Sequence, residues 1–209
     1  MQYKNKQKVY PTEWGRAKDV LTHGGVAFIP TDTLYGLVAN AFDKRAVERV
    51  YKIRGRDKGK PCIVLISSFT DLKKFGIVLT SVQKEFLQKV WPGKVSVVLP
   101  CKLKKFEYLH RGTQTIALRM IGPRNKNLFN MLKNIGPLVA PSANPQGMPP
   151  ARTRREGRKY FGKAVDAYVC VGTRDSKPST LVEFKKDLPT GQAGKIVVIR
   201  EGAVKIKKD

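Results

Sequence analysis

Cysteine and histidine are scarce, and their scarcity removes several chemistries. The three cysteines, Cys62, Cys101 and Cys170, are odd in number, far apart and never in CxxC spacing, so neither a disulfide framework nor a zinc site is suggested. Cys62 and Cys170 stand inside apolar runs and are expected as buried thiols, which points to a reducing compartment, the cytosol. The two histidines, His23 and His110, stand in polar, loop-like surroundings without metal-ligand spacing. Nucleophile-elbow, GxGxxG and GxxxxGK[ST] patterns are all missing, leaving hydrolase-elbow, Rossmann and Walker phosphate-loop chemistry unsupported. No apolar stretch approaches the roughly 18 residues of a membrane helix. The first ten residues, MQYKNKQKVY, lack an apolar signal core, so an unprocessed cytoplasmic protein with no membrane partner is expected. Acidic residues are also few: 16 Asp and Glu against 41 Lys and Arg leave a formal charge of +25. Such an excess favours nucleic acid or a nucleotide as partner over a merely solvated basic surface, without saying which anion.

What is present reads as one α/β domain spanning 1–209, since no linker, repeat or low-complexity block divides the chain. Short apolar runs predict strands at Val26–Pro30, Cys62–Ser67, Val95–Pro100, Thr115–Met120, Pro137–Ala140, Ala167–Val171, Thr180–Phe184 and Ile196–Arg200. Several are β-branched and unalternated, as in strands buried on both faces. Helical stripes lie between them. Ala46, Val47, Val50 and Tyr51 follow the N-cap residue Asp43. Val82, Phe86, Leu87, Val90 and Trp91 form a second stripe, stopped by Pro92-Gly93. Leu128, Phe129 and Leu132 form a third, and Thr153–Phe161 predicts a fourth helix. The alternation argues for a mixed, partly parallel sheet.

Three polar clusters stand at strand ends, where α/β sheets place ligands. Thr31-Asp32-Thr33, after the first strand, offers hydroxyls and a carboxylate to a small polar ligand, or simply an Asx/ST turn. Lys52 to Pro61 carries five cations and two glycines, suited to wrapping a triphosphate, though a solvated helix end would also suit. Ser142 and Asn144, two apart after an apolar strand, can aim a hydroxyl and an amide at one ligand; a Pro/Gly turn is the plainer account. Thr115 and Arg119 are four apart in one strand and so face the same side of the sheet. A buried arginine needs an anion, whether a bound carboxylate or phosphate or an internal Asp.

Together these segments resemble the YrdC-like family of threonylcarbamoyl-AMP synthases across nearly the whole chain. The resemblance is carried by IPTDTLYGLVANAF (29–42), RGRDKGKP (54–61), WPGKVSVVLP (91–100), TIALRM (115–120), APSANPQG (140–147), PSTLV (178–182) and IREGA (199–203). It implies the short, single-domain (TsaC-type) form with no second C-terminal domain. The fold would be an open twisted mixed sheet with flanking helices and a large basic concave pocket. It implies a nucleotidyltransferase that makes threonylcarbamoyl-AMP and pyrophosphate from L-threonine, bicarbonate and ATP, with Mg2+ carried by the ATP. The product would feed a downstream tRNA threonylcarbamoyl-transferase complex acting on tRNAs that read ANN codons. Thr33, Tyr35, Arg119, Ser179 and Thr180 would surround threonine, and Arg54, Arg56, Lys60, Thr115, Ser142, Asn144 and Arg200 would hold the nucleotide and phosphates. No covalent nucleophile or protein metal site is expected, because attack at phosphorus needs positioning and charge neutralisation above all.

Three departures from the family pattern bear on the amino-acid contacts. Arg54 stands where relatives usually carry lysine, Leu65 where some carry histidine, and Pro150 where a small hydroxyl residue is common. The basic run Arg152–Lys159 is expected as a solvated helix face, with direct contact to double-stranded RNA or tRNA as the other option. The main alternative to the enzyme is a non-catalytic RNA-binding module of the same fold, which accounts for the charge but not for Thr33, Ser142 and Asn144.

Overall fold

A computed structural model of the chain describes residues 12–55, 59, 61–186 and 193–206. The strands are β1 (Ala27–Pro30), β2 (Tyr35–Asn40), β3 (Ile63–Ile66), β4 (Val95–Pro100), β5 (Thr115–Met120), β6 (Leu138–Val139), β7 (Ala167–Tyr168), β8 (Thr180–Lys186) and β9 (Ala193–Arg200). The helices are α1 (Glu13–Thr22), α2 (Lys44–Arg54), α3 (Thr70–Lys74), α4 (Ser81–Val90), α5 (Glu107–His110), α6 (Lys126–Ile135) and α7 (Arg154–Phe161). The strands form one mixed sheet in the order β7-β1-β2-β6-β3-β5-β4-β8-β9. This is the expected open α/β sheet with flanking helices.

Capping chemistry sets several helix ends. Asp43 accepts a hydrogen bond from Ala46 N at the start of α2, which ends on Gly55 in the left-handed conformation at φ 58°. Thr80 and Gln83 close a reciprocal capping box at α4. That box corrects the expected α4 stripe. Gln83 turns inward so that its Oε1 can accept from Thr80 N, while Val82 is 48% exposed. Four elements escaped the sequence reading: the short helices α3 and α5, and also α1 and β2. α1 carries its apolar Ala17, Val20 and Leu21 among polar neighbours, and β2 begins inside the polar cluster at Tyr35.

Alternate side chains of the central strands enter different layers. Val64, Val97, Ile116, Leu118 and Val182 point into the larger hydrophobic cluster, which also takes in Val47, Val50 and Leu87 of α2 and α4. Leu65, Ile29, Val38 and Leu138 join a second cluster with Leu21, Leu128 and Leu132 of α1 and α6. Ile63, Ala117, Val98 and Glu183 are paired in register across β3, β5, β4 and β8, so they share one face. On that face Ile63, Val98 and Glu183 are only half-buried, whereas Val64, Val97, Leu118 and Val182 behind them are fully buried. The second layer therefore stops short of the sheet's full width, leaving an open face beside Arg119.

Two further expectations change. Cys62 and Cys101 are buried, but Cys170 is exposed, because β7 is the sheet edge and ends at Tyr168. His110 closes α5 and is buried, its Nδ1 accepting from Gly112 N, so its surroundings are not the polar loop expected. In the basic run, Arg152 pairs with Asp175 and Arg154 with Glu13, while Arg158 lies over the Tyr168 ring. That segment is α7 with its N-terminal lead, and much of its charge is engaged within the molecule.

Candidate functional site

The β1–β2 hairpin places the first polar cluster. Pro30 pairs with Tyr35, leaving Thr31–Leu34 as the turn. Thr31 Oγ1 donates to Leu34 O at 2.6 Å and accepts from Thr33 N at 3.2 Å. The cluster is thus a hydroxyl-stabilised turn, and the same turn presents Thr31 and Thr33 to a cavity. The third cluster is tied to this hairpin by backbone bonds: Leu37 N donates to Pro141 O, Ala143 N to Tyr35 O, and Gly36 faces Ser142 across an isolated bridge. From the other side of the sheet come Ser179 and Arg200. Ser179 Oγ lies 2.8 Å from Ser96 Oγ, and Arg200 Nη2 donates to Ser179 O at 2.8 Å.

These elements enclose a cavity of about 330 Å³ lined by Thr31, Thr33, Tyr35, Arg119, Ser142, Ser179 and Arg200, with Pro150, Pro178 and Ile63 among its apolar walls. Six residues singled out from sequence therefore meet in one place: Thr33, Tyr35, Arg119, Ser142, Ser179 and Arg200. Pro150, noted above as a departure, is part of the lining, whereas Leu65 is fully buried and is not.

The cavity's electrostatics centre on Arg119, which is 3% exposed. Burial pushes its pKa below the ordinary arginine value, Asp32 pulls it back up, and the neighbouring charge of Arg200 pushes it down again. Its Nη2 lies 2.9 Å from Asp32 Oδ1, an ion pair by distance. Neither Asp32 Oδ1 nor Arg119 Nε makes a well-aligned hydrogen bond to any described residue. Asp32 was visible in the sequence cluster, but its role as Arg119's counter-charge was not. Tyr35 is held rigidly: its ring stacks on Phe28 at 4.5 Å, and its hydroxyl donates to Gly172 O and accepts from Val171 N. Burial raises that hydroxyl's pKa, and the Val171 bond acts the other way.

The remaining expected residues lie elsewhere. Arg54 is 4% exposed and turned into the 140–148 segment, where Nε donates to Asn144 O at 2.9 Å and Nη2 to Asn144 Oδ1 at 3.1 Å. Ser142 Oγ donates to the same Asn144 Oδ1 at 2.7 Å, and Asn144 Nδ2 reaches Pro145 O and Met148 O. Arg54 and Asn144 thus form a clamp behind Ser142. Thr115 begins β5, at the opposite end from Arg119, and bonds Thr113. Thr180 lines a separate hollow of about 480 Å³ with Lys177, Glu201 and Val204. Its hydroxyl donates to Val204 O. Arg56 and Lys60 lie outside the described residues. Among the described residues no group of three His, Cys, Asp or Glu could hold a metal ion, and no helix is long and apolar enough to cross a membrane.

The Sua5/YciO/YrdC family model, described as telomere recombination, matches residues 19–202. A threonylcarbamoyl-AMP synthase of Cellvibrio japonicus is 32% identical over 178 residues, which are 84% of this chain and 91% of that protein. One from Pyrococcus abyssi is 28% identical over 195 residues, covering 92% of this chain but 54% of the relative, so the chain spans about half of that longer protein. Among solved structures, P. abyssi Sua5 complexed with L-threonine superposes with a TM-score of 0.79 at 26% identity, covering 94% of this chain and 56% of that one.

Proposed function

The chain belongs to the Sua5/YciO/YrdC family, and on that premise we propose that it is a threonylcarbamoyl-AMP synthase, joining L-threonine, bicarbonate and ATP. The support is the meeting, in one cavity, of a buried arginine, a second arginine and the hydroxyls of Thr33, Ser142 and Ser179. That set recognises a small amino acid and a phosphate ester without supplying a covalent nucleophile.

The threonine amine captures bicarbonate as a carbamate with loss of water. The carbamate oxygen attacks the α-phosphorus of ATP, and the bond to the departing pyrophosphate breaks. Such a transfer is accelerated by holding the reactants in line and neutralising charge. Arg119 takes the threonine carboxylate, with Thr33, Tyr35 and Ser179 around the amino acid. Thr180 acts indirectly, by anchoring the Pro178–Ser179 wall. Ser142 and Arg200, with Thr115, Arg56 and Lys60, hold the nucleotide, and Arg54 and Asn144 act through the position of Ser142. The cavity offers hydroxyls and cations rather than a carboxylate cage, so magnesium enters as part of the MgATP substrate. The enzyme is on this account a cytoplasmic nucleotidyltransferase, and its product goes to a tRNA threonylcarbamoyl-transferase complex serving tRNAs that read ANN codons. The +25 charge favours direct contact with tRNA as well.

The test is pyrophosphate release from purified protein given MgATP, bicarbonate and L-threonine, with each omitted in turn. Release that needs both threonine and bicarbonate is expected. A folded, ATP-binding protein with no threonine-dependent release would overturn the proposal. Tight tRNA binding without turnover would instead identify a non-catalytic RNA-binding module.

A further inference from the structure

Arg119 has an unusual setting for a residue that must greet a substrate. It is nearly solvent-free, Arg200 stands close enough to repel it, and its Nε has no hydrogen-bond partner among the described residues. A buried guanidinium left uncompensated would swing toward water, since an unpaired buried ion is costly. The counter-charge is Asp32, whose Oδ1 lies 2.9 Å from Nη2.

Asp32 does not line the Arg119 cavity. It lines two outer hollows on the other side of the turn. One also has Arg124, Lys126 and Arg174 in its wall, the other Lys94 and Arg124, and Asp32 is the only acidic residue among the described lining of either. Its carboxylate therefore reaches Arg119 from outside that cavity. The hairpin turn holds it there, with Thr31 and Thr33 locked by their own hydrogen bonds on either side.

We propose that Asp32 is the positioning residue for Arg119: it fixes the rotamer of the guanidinium, so that the N–H groups turned away from Asp32 face the carboxylate of the amino-acid substrate. This rests on the synthase reading above and adds a residue to it. Asp32 touches neither substrate; it acts only through Arg119. The opposite sign is a real physical alternative. A carboxylate already paired with Arg119 could compete with the incoming one, in which case its removal would tighten substrate binding.

Steady-state kinetics of wild type, Asp32→Asn and Asp32→Glu separate these accounts. Asp32→Asn keeps the size and loses the charge. It is expected to raise KM for L-threonine at least about 30-fold, the low end of the usual cost of removing one partner of a buried charge pair. KM for ATP should stay within about twofold. Asp32→Glu restores the charge one methylene further out and is expected to recover part of the loss, a rescue that a merely structural role would not produce. An unchanged or lowered threonine KM in Asp32→Asn would overturn the proposal, as would equal rises in both KM values. Should Asp32→Asn fail to fold, Asp32→Glu carries the same test alone: threonine KM must rise while ATP KM does not. If the wild type shows no threonine-dependent release, the synthase reading falls and this inference falls with it. A wild-type enzyme with an indifferent Asp32 variant sinks only this inference.

Discussion

Replacing Arg54 distinguishes a clamp from a phosphate ligand. In Arg54→Ala, Asn144 loses two charge-assisted hydrogen bonds, at 2.9 Å to its carbonyl and 3.1 Å to its side-chain oxygen, and Ser142 loses a longer one at 3.4 Å. Hydrogen bonds to charged groups contribute about 1.5–3 kcal/mol each, but burying the guanidinium has its own cost, so the terms do not simply add. Asn144 Oδ1 also keeps its bond from Ser142. A net destabilisation of about 2–4 kcal/mol follows, dominated by the Asn144 carbonyl and the packing space left behind. For a chain of this size that lowers Tm by about 5–15 °C. Melting followed by circular dichroism checks it, alongside KM for ATP. The clamp account expects both to move, because Ser142 drifts once its support is gone. Arg54→Lys should lose only part of the stability, since an ammonium cannot reproduce the fork. A normal Tm in Arg54→Ala, together with a large rise in ATP KM, would refute the clamp and make Arg54 a direct phosphate ligand.

Gly202→Ala should raise threonine KM at least about tenfold: the added Cβ would lie 2.3 Å from Pro178 O and 2.5 Å from Ser179 C, backbone atoms that cannot yield without moving the cavity wall. Kinetics unchanged from wild type would show that this wall does not bound the substrate site. Gly157→Ala sets two effects against each other. A helix gains about 1 kcal/mol from alanine, but the new Cβ would sit 2.5 Å from the buried Phe28 ring, and overpacking costs about 1–3 kcal/mol. Packing should win, and a raised urea midpoint would contradict that. Asp71 accepts from Ser67 N and Ser68 N and pairs with Lys74 at 2.7 Å. Burial alone would raise its pKa, yet the Lys74 and Ser67 bonds prevail and hold it below the usual 3.8. Its folded pKa being depressed, Asp71 stabilises the protein above that usual value and loses the contribution as pH falls through the lowered one. Asp71→Asn should therefore be less stable than wild type at pH 7, with the gap in urea midpoints closing below about pH 4.

The sequence disclosed most where one local rule decided the outcome, and least where a contact joined distant segments. The β-branched runs of β3, β4 and β5 were legible because apolar density alone specifies them, as was the Asp43 cap, which needs only a short side chain before a helical stripe. β2 was not, because its first residues double as the end of a polar turn. Ser142 and Asn144 illustrate the harder case. A Pro/Gly turn and a ligand-facing pair seemed to be rival accounts, yet both hold: Asn144 is spent on the turn, and Ser142 is left on the cavity wall. The five cations between Lys52 and Pro61 looked alike in one dimension. Only tertiary packing turned Arg54 away from solvent and into the loop behind Ser142. Arg119 makes the same point about pairing. Its position in an apolar strand demanded an anion, but whether that anion was internal or bound depended on where the β1–β2 turn would fall. The two options do not exclude each other, because Asp32 meets Nη2 while Nε is left without a partner among the described residues. A guanidinium with one amino group committed to an internal carboxylate is better fixed for the next carboxylate than a free one would be, since the rotamer entropy is already lost before the substrate arrives.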